Sequence, residues 1–267
     1  MGELLELGEA ARRFLWLVGL AMARLTPIFQ IVPFLGGRHL TTTVRGSITL
    51  SLAAFLVPWL DGRAEAAFGF AEALPLLAKE AALGTIFGFF ASLVFFAASG
   101  IGFLADNQRG MTMASEVDPI SGIDTSPLGA MMMETMILAF VSTGGLALFI
   151  QSVLSTYVFW PPFSFWPDWG SAPVGSLLLD QFEWYLAVMV TLAAPMLLVC
   201  FLVDLGMGLM NRFAPQLNVY FLAMPIKSAL VMALMLAYWG TLFRLLGRET
   251  ARLPTIWAAL SRVLGGT

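Results

Sequence analysis

The sequence predicts an all-α integral membrane protein built from helical hairpins, with about six hydrophobic segments. The first observation behind this prediction is composition: 59% of the 267 residues are hydrophobic and 12% are charged. Soluble domains are about 45–50% apolar and about 25% charged. The second is the length of the hydrophobic blocks, because a helix that crosses a bilayer needs about 20 mostly apolar residues. Residues 1–267 are predicted to form a single membrane domain.

The hydrophobic blocks follow one another along the whole chain. Their approximate bounds are 14–35, 44–60, 81–105, 128–160, 182–210 and 217–243. The fourth and fifth blocks are longer than one span requires, so each could bend, tilt or break. The sequence Ser-Thr-Gly-Gly at 142–145 is one predicted break point. With six spans, eight Lys and Arg residues lie on the side of the termini and four on the other, which favours cytoplasmic termini.

Several classes of function lack the residues that they need. Cys200 is the only cysteine and lies inside a hydrophobic block, so neither a disulfide framework nor a cysteine metal site is expected. His39 is the only histidine, and no acid or cysteine pattern accompanies it. We therefore predict no metal, no cofactor and no enzymatic activity. The net charge of -3 without a basic run gives no support to a nucleic-acid partner.

Polar residues, among them the charged Arg24, and prolines interrupt the hydrophobic blocks. Charges in hydrocarbon cost about 2.5–3.5 kcal/mol each even on the gentlest scale, so most of them should face protein or water. Prolines in Leu-Ala-Ala-Pro-Met-Leu-Leu and Ala-Met-Pro-Ile-Lys-Ser could break helices around a transporter site, with Asp204, Glu134 or Lys227 as coupling residues. Alternatively, these polar residues make contacts between helices. The pattern alone leaves both interpretations open.

The third and fourth blocks are separated by the polar stretch DNQRGMTMASEVDP, residues 106–119. Charged residues and a glycine at this place are compatible with a solvated loop between two helices. They are also compatible with a functional segment, although composition alone favours the solvated loop. The stretch GFLADNQRGMTMASEVDP, the following SPLG at 126–129 and MNRFAPQLNVYFLAMPIKS at 210–228 resemble the signature segments of the SctT/FliR family. This family is subunit T of the type III secretion export apparatus, and the resemblance covers essentially the whole chain.

The resemblance implies a non-enzymatic part of a bacterial inner-membrane export gate for unfolded protein substrates. Family members assemble as one T-type subunit with five R-type and four S-type subunits, beside the large export-gate protein and the switch subunit. The assembled gate is partly raised toward the periplasm. The Asn-Gln-Arg-Gly wording resembles the virulence, or injectisome, branch more than the flagellar branch. The alternative function is a stand-alone secondary transporter or channel for small solutes or ions.

The resemblance also assigns roles to residues. The loop at about 106–127 would be a plug that closes the channel, formed by Asp106, Asn107, Gln108, Arg109, Gly110, Glu116, Asp118 and Pro119. Arg109 could pair with Asp106, Glu116 or Asp118. Residues expected in subunit packing or polar intramembrane contacts are Glu134, Asp204, Asn211, Pro215, Gln216, Asn218 and Lys227. The tail at about 244–267 is predicted to be an amphipathic helix that lies against the membrane or a partner.

Overall fold

The computed structural model describes residues 2–36, 40–62, 70–111, 126–164, 174–216 and 218–250. These residues form helices and connections without a strand, which confirms the predicted all-α class. The α-helices are α1 (Gly2–Ile31), α2 (Thr42–Asp61), α3 (Phe70–Gln108), α4 (Pro127–Ser142), α5 (Gly145–Phe159), α6 (Val174–Phe213) and α7 (Val219–Thr250). A short 3-10 helix, Pro33–Leu35, follows α1.

The described helices agree with about six membrane segments. Five of them, α1, α2, α3, α6 and α7, are long and apolar enough to cross a membrane. The shorter α4 and α5 satisfy the same criteria together, as one bent span, which raises the number to six. The chain is therefore a multi-pass membrane protein.

The predicted break in the fourth block is confirmed. Helix α4 ends at Ser142 and α5 begins at Gly145. Between them Gly144 has φ +82°, a conformation that glycine adopts without the steric cost that a side chain adds. The fifth and sixth blocks contain Pro195 and Pro225, yet α6 and α7 continue through both prolines. The helix breaks that a transporter site would need are thus absent at these two positions.

The chain divides into two compact units, each assembled from separate segments. The first contains Met1–Ser92, Leu146–Val174 and Leu253–Thr267. The second contains Leu93–Gly145 and Gly175–Arg252. Organisation as a single membrane domain stays a prediction. Of the predicted C-terminal tail, residues 244–250 continue α7, and residues 251–267 lie outside the described residues.

In the first unit, two glycines one turn apart bring α3 against α1. A Cβ atom on Gly88 would lie 2.9 Å from the Cα of Ile28, and one on Gly84 would clash with the carbonyl oxygen of Arg24. Small residues at this spacing allow two helix backbones to approach closely, as in other membrane helix pairs. Phe149 of α5 packs in the core of this unit, where its ring centre lies 5.0 Å from that of Phe34. The close approach leaves the Arg24 side chain enclosed by protein.

In the second unit, glycines bring α3 against α4. A Cβ atom on Gly102 would clash with the backbone of Leu128 and Gly129. Further along α4, the rings of Phe95 and Phe140 meet edge to face, with their centres 5.2 Å apart. Residues four apart lie on the same face of a helix. Gly102 therefore places the side chain of Asp106, one turn later, beside the first turn of α4.

Candidate functional site

The candidate site is centred on the carboxylate of Asp106, in the last turn of α3. This side chain is buried, and the guanidinium of Arg109 binds its Oδ1 atom with Nε at 2.7 Å and Nη2 at 2.6 Å. Of the three acids that the sequence offered to Arg109, Asp106 is therefore one that binds it. The other two, Glu116 and Asp118, lie outside the described residues, as does Pro119.

The same carboxylate also binds the start of α4. The hydroxyl of Ser126 donates to Oδ2 of Asp106 at 2.6 Å, and the backbone N–H of Leu128 donates to it at 2.9 Å. Ser126 is the N-cap of α4: its side-chain oxygen accepts from the N–H of Gly129 at 2.8 Å, and proline follows it. Serine followed by proline is a favoured beginning of a helix, so this cap was readable from the sequence. Its connection to Asp106 was not.

The end of α3 is held by a second pair of charges. Gly110 has φ +84°, and its N–H donates to the carbonyl of Asn107 at 3.1 Å, which is how glycine commonly terminates a helix. The ammonium of Lys227, on α7, donates to the carbonyl of Gln108 at 3.0 Å and lies 2.5 Å from a carboxylate oxygen of Asp204, on α6. A cation at this position also interacts favourably with the helix dipole. Two of the intramembrane charges that the sequence singled out, Asp204 and Lys227, therefore bind each other.

The remaining predicted residues lie elsewhere on the second unit. Glu134 is exposed on α4. Asn211 is exposed in the last turn of α6, and three other predicted residues are exposed in the connection between α6 and α7: Pro215, Gln216 and Asn218. Helix α6 ends at Phe213, two residues before Pro215, which lacks the backbone N–H that a helix interior needs. Their predicted role in subunit packing stays a prediction.

A buried ion pair in the first unit went unrecognised in the sequence. Arg24 and Glu80 are both 0% exposed. The guanidinium binds the two carboxylate oxygens with Nε at 2.6 Å and Nη2 at 2.9 Å. It also donates to the backbone carbonyls of Thr156 at 2.8 Å and Trp160 at 2.9 Å, at the end of α5. Arg24 lies inside a hydrophobic block, and the need of such a charge for a counterion is the signal in the sequence that points to a buried acid.

Further contacts extend this cluster. The ammonium of Lys79 lies 2.9 Å from Oε1 of Glu80 and donates to the carbonyls of Pro162 at 2.7 Å and Ser164 at 2.8 Å. The Tyr157 ring centre is 4.3 Å from the Arg24 guanidinium carbon, and the Tyr157 hydroxyl donates to the carbonyl of Ala21 at 2.8 Å. The cluster therefore joins α1, α3, α5 and the turn after α5.

The chemistry of both clusters is that of fixed hydrogen bonds and ion pairs. Within the described part of the chain, no group of three or more His, Cys, Asp or Glu residues is arranged to hold a metal ion. Among the described residues, the buried carboxylate of Glu80 is bound by Arg24 and Lys79. That of Asp106 is bound by Arg109, by the hydroxyl of Ser126 and by the N–H of Leu128. Such an arrangement orients helices and fixes their spacing.

One protein family and several individual proteins match most of this chain. The family of bacterial export proteins, family 1, matches residues 15–253. The Yop proteins translocation protein T of Yersinia pestis is 36% identical over 220 residues, which are 82% of this chain and 84% of the relative. The surface presentation of antigens protein SpaR of Salmonella typhimurium is 30% identical over 221 residues, 83% of this chain and 82% of the relative. The flagellar biosynthetic protein FliR of Bacillus subtilis is 24% identical over 225 residues, 84% and 86% of the two chains.

Proposed function

Because this chain belongs to the bacterial export proteins of family 1, we propose that it is a non-enzymatic component of a type III secretion export gate. The gate forms a channel in the bacterial inner membrane for unfolded protein substrates. The observation that carries this proposal is the family match over residues 15–253, which includes all the described helices in part or in full. Several helices that are long and apolar enough to cross a membrane agree with such a place.

The proposed partners are the R-type and S-type subunits, in a complex of five R-type, four S-type and one T-type chain. The large export-gate protein and the switch subunit lie next to this complex, which is partly raised toward the periplasm. The injectisome branch is favoured because the identity to the Yop translocation protein is 36%, against 24% to the flagellar relative. Exposed apolar residues on α6 and α7 support burial against neighbouring subunits, since large apolar faces need a nonaqueous partner.

The loop at about 106–127 is proposed as the plug of the channel. A plug must close the channel to ions and still yield to a polypeptide. Individual hydrogen bonds contribute only about 0.5–1.5 kcal/mol net, so several of them can hold a loop and still be exchanged when a substrate enters. The polar composition of this loop and the hydrogen bonds at its two ends support this role. A hydrophobic core at the same place would open less readily.

Deletion of residues 107–110 tests this proposal. Because the bonds of Asp106 to Ser126 and Leu128 lie outside the deletion, we expect the variant to assemble with R-type and S-type subunits as the parent does. The membrane should then leak ions, as measured by conductance of the complex in a planar bilayer. Normal assembly with unchanged conductance would contradict the plug. Failure of the undeleted chain to assemble would contradict membership of the gate.

A further inference from the structure

One buried carboxylate connects the two ends of the polar segment between α3 and α4. Asp106 is 2% exposed, and its two oxygens have separate partners. Oδ1 binds two nitrogens of Arg109, on the α3 side, at 2.7 and 2.6 Å. Oδ2 accepts from the hydroxyl of Ser126 at 2.6 Å and from the N–H of Leu128 at 2.9 Å, on the α4 side. A carboxylate has two acceptor oxygens and no donor, so it can accept hydrogen bonds from both sides at once.

The surroundings of Asp106 leave these bonds little freedom. Gly102, one turn before Asp106, brings the backbone of α3 into close approach with Leu128 and Gly129 of α4. Burial strengthens charge-assisted hydrogen bonds and raises the cost of leaving any partner unsatisfied. The end of α3 is fixed from another direction as well, because Lys227 donates to the carbonyl of Gln108. The last turn of α3 and the first turn of α4 are therefore positioned together.

We propose that Asp106 is a positioning residue that fixes the end of α3 against the start of α4. Through these bonds it determines where the connection between the two helices leaves α3 and where it enters α4. The anchor itself follows from contacts of described residues. Its consequence for a closed channel rests on the proposed plug function. Asp106 is thus assigned to the support of the loop, and not to a surface that meets the secreted chain.

The substitution D106N tests the anchor in the chain assembled with its partner subunits. The amide of this variant has a similar shape but no charge and one acceptor oxygen, so it cannot serve both Arg109 and the start of α4. We expect hydrogen exchange of the amides in the first turn of α4 to accelerate about tenfold or more, because loss of a charge-assisted hydrogen bond favours local opening. The matched control is D61N, which makes the same chemical change in the exposed Arg13–Asp61 pair. This control should leave exchange in α4 unchanged.

The double variant D106N/S126D separates positioning from general damage. A carboxylate at position 126 is a good N-cap for α4. It would also lie next to residue 106, because the side chains of Ser126 and Asp106 are hydrogen-bonded at 2.6 Å in the parent. It can accept from the Gly129 N–H and from the amide introduced by D106N. We expect exchange in α4 to return to within about threefold of the parent, because the charged acceptor is restored. Damage to the core of the second unit would not be repaired by a charge on the neighbouring residue.

Conductance of the same complexes separates the anchor from the plug. We expect D106N to leak and D106N/S126D to leak less. Unchanged exchange in D106N, or no recovery in the double variant, would overturn the anchor. If D106N accelerates exchange without a leak while deletion of residues 107–110 does leak, the anchor's part in channel closure is overturned. If the deletion does not leak either, the proposed plug fails, and the exchange result still decides the anchor.

Discussion

Charges buried inside membrane-length helices are compensated residue by residue. Arg24 and Glu80 lose all contact with solvent, and the desolvation of such a pair is repaid only when geometry is good and the remaining donors are satisfied. Both conditions hold, because the guanidinium makes a bidentate contact to Glu80 and donates to two carbonyls of the α5 end. The pair is therefore expected to stabilise the packed arrangement of α1, α3 and α5 against alternatives in which one charge is unpaired.

Replacement of Glu80 by alanine should destabilise the protein by about 3–5 kcal/mol, because it leaves a buried guanidinium without its counterion. Equilibrium unfolding of the purified protein in detergent would measure this change. The double variant R24M/E80M should cost less than the sum of its two single substitutions, since it removes both charges. D61A is the control at an exposed pair, where about 0.2–1 kcal/mol is typical. A cost for E80A as small as that of D61A would show that the buried pair contributes little.

The sequence identified individual polar residues better than their partners. It marked Arg24, Asp204 and Lys227 as charges that need protein around them, because the cost of a charge in hydrocarbon is a local property. The pairing of Arg24 with Glu80 spans 56 positions and depends on how α1 packs on α3. Arg109 instead binds Asp106, three positions earlier, which is the local spacing of neighbours on a helix surface. Pairing between distant helices, as for Arg24 and Glu80, is thus a tertiary property that no local pattern contains.

At the scale of helices, the hydrophobic blocks predicted where the helices lie. Some helix ends differ from the block ends, and the differences have physical reasons. Helix α2, Thr42–Asp61, follows the block at 44–60 closely. Helix α1 begins at Gly2, well before the block at 14. Its first turns are rich in Glu, Leu, Ala and Arg, which all favour a helix, while Glu and Arg keep this stretch from forming a hydrophobic block. Helix α3 begins at Phe70, ahead of the block at 81. The block begins later than the helix because Lys79 and Glu80 lower the hydrophobicity of the sequence before residue 81.

Helix packing in the first unit depends on the absence of a side chain at Gly88. The substitution G88A places a methyl group 2.9 Å from the Cα of Ile28, where backbone cannot move away easily. Such overpacking costs about 1–3 kcal/mol, which unfolding in detergent would detect. The matched control is G206A in α6, where nothing lies within 4 Å and alanine should be neutral or favourable by up to about 1 kcal/mol. Equal stability of the two variants would contradict close packing of α1 on α3.

At the scale of the whole molecule, the long helices are covered very unequally by their own chain. In α3, 67% of the most apolar 18-residue stretch is buried, whereas 22% of the corresponding stretch is buried in each of α6 and α7. Large apolar side chains such as Phe201 and Phe221 are more than half exposed. In a membrane protein, lipid or other subunits must cover these faces. In the proposed export gate, neighbouring subunits would cover these faces. In a stand-alone transporter, lipid and further copies of the chain would have to cover them.

Native mass measurement after co-expression with R-type and S-type subunits tests the central claim most directly. The proposed gate predicts one stable complex that contains five R-type, four S-type and one copy of this chain. The same chain reconstituted alone in liposomes should transport no small solute. Absence of any stable complex with those subunits, together with solute flux through the isolated chain, would contradict the assignment to an export gate.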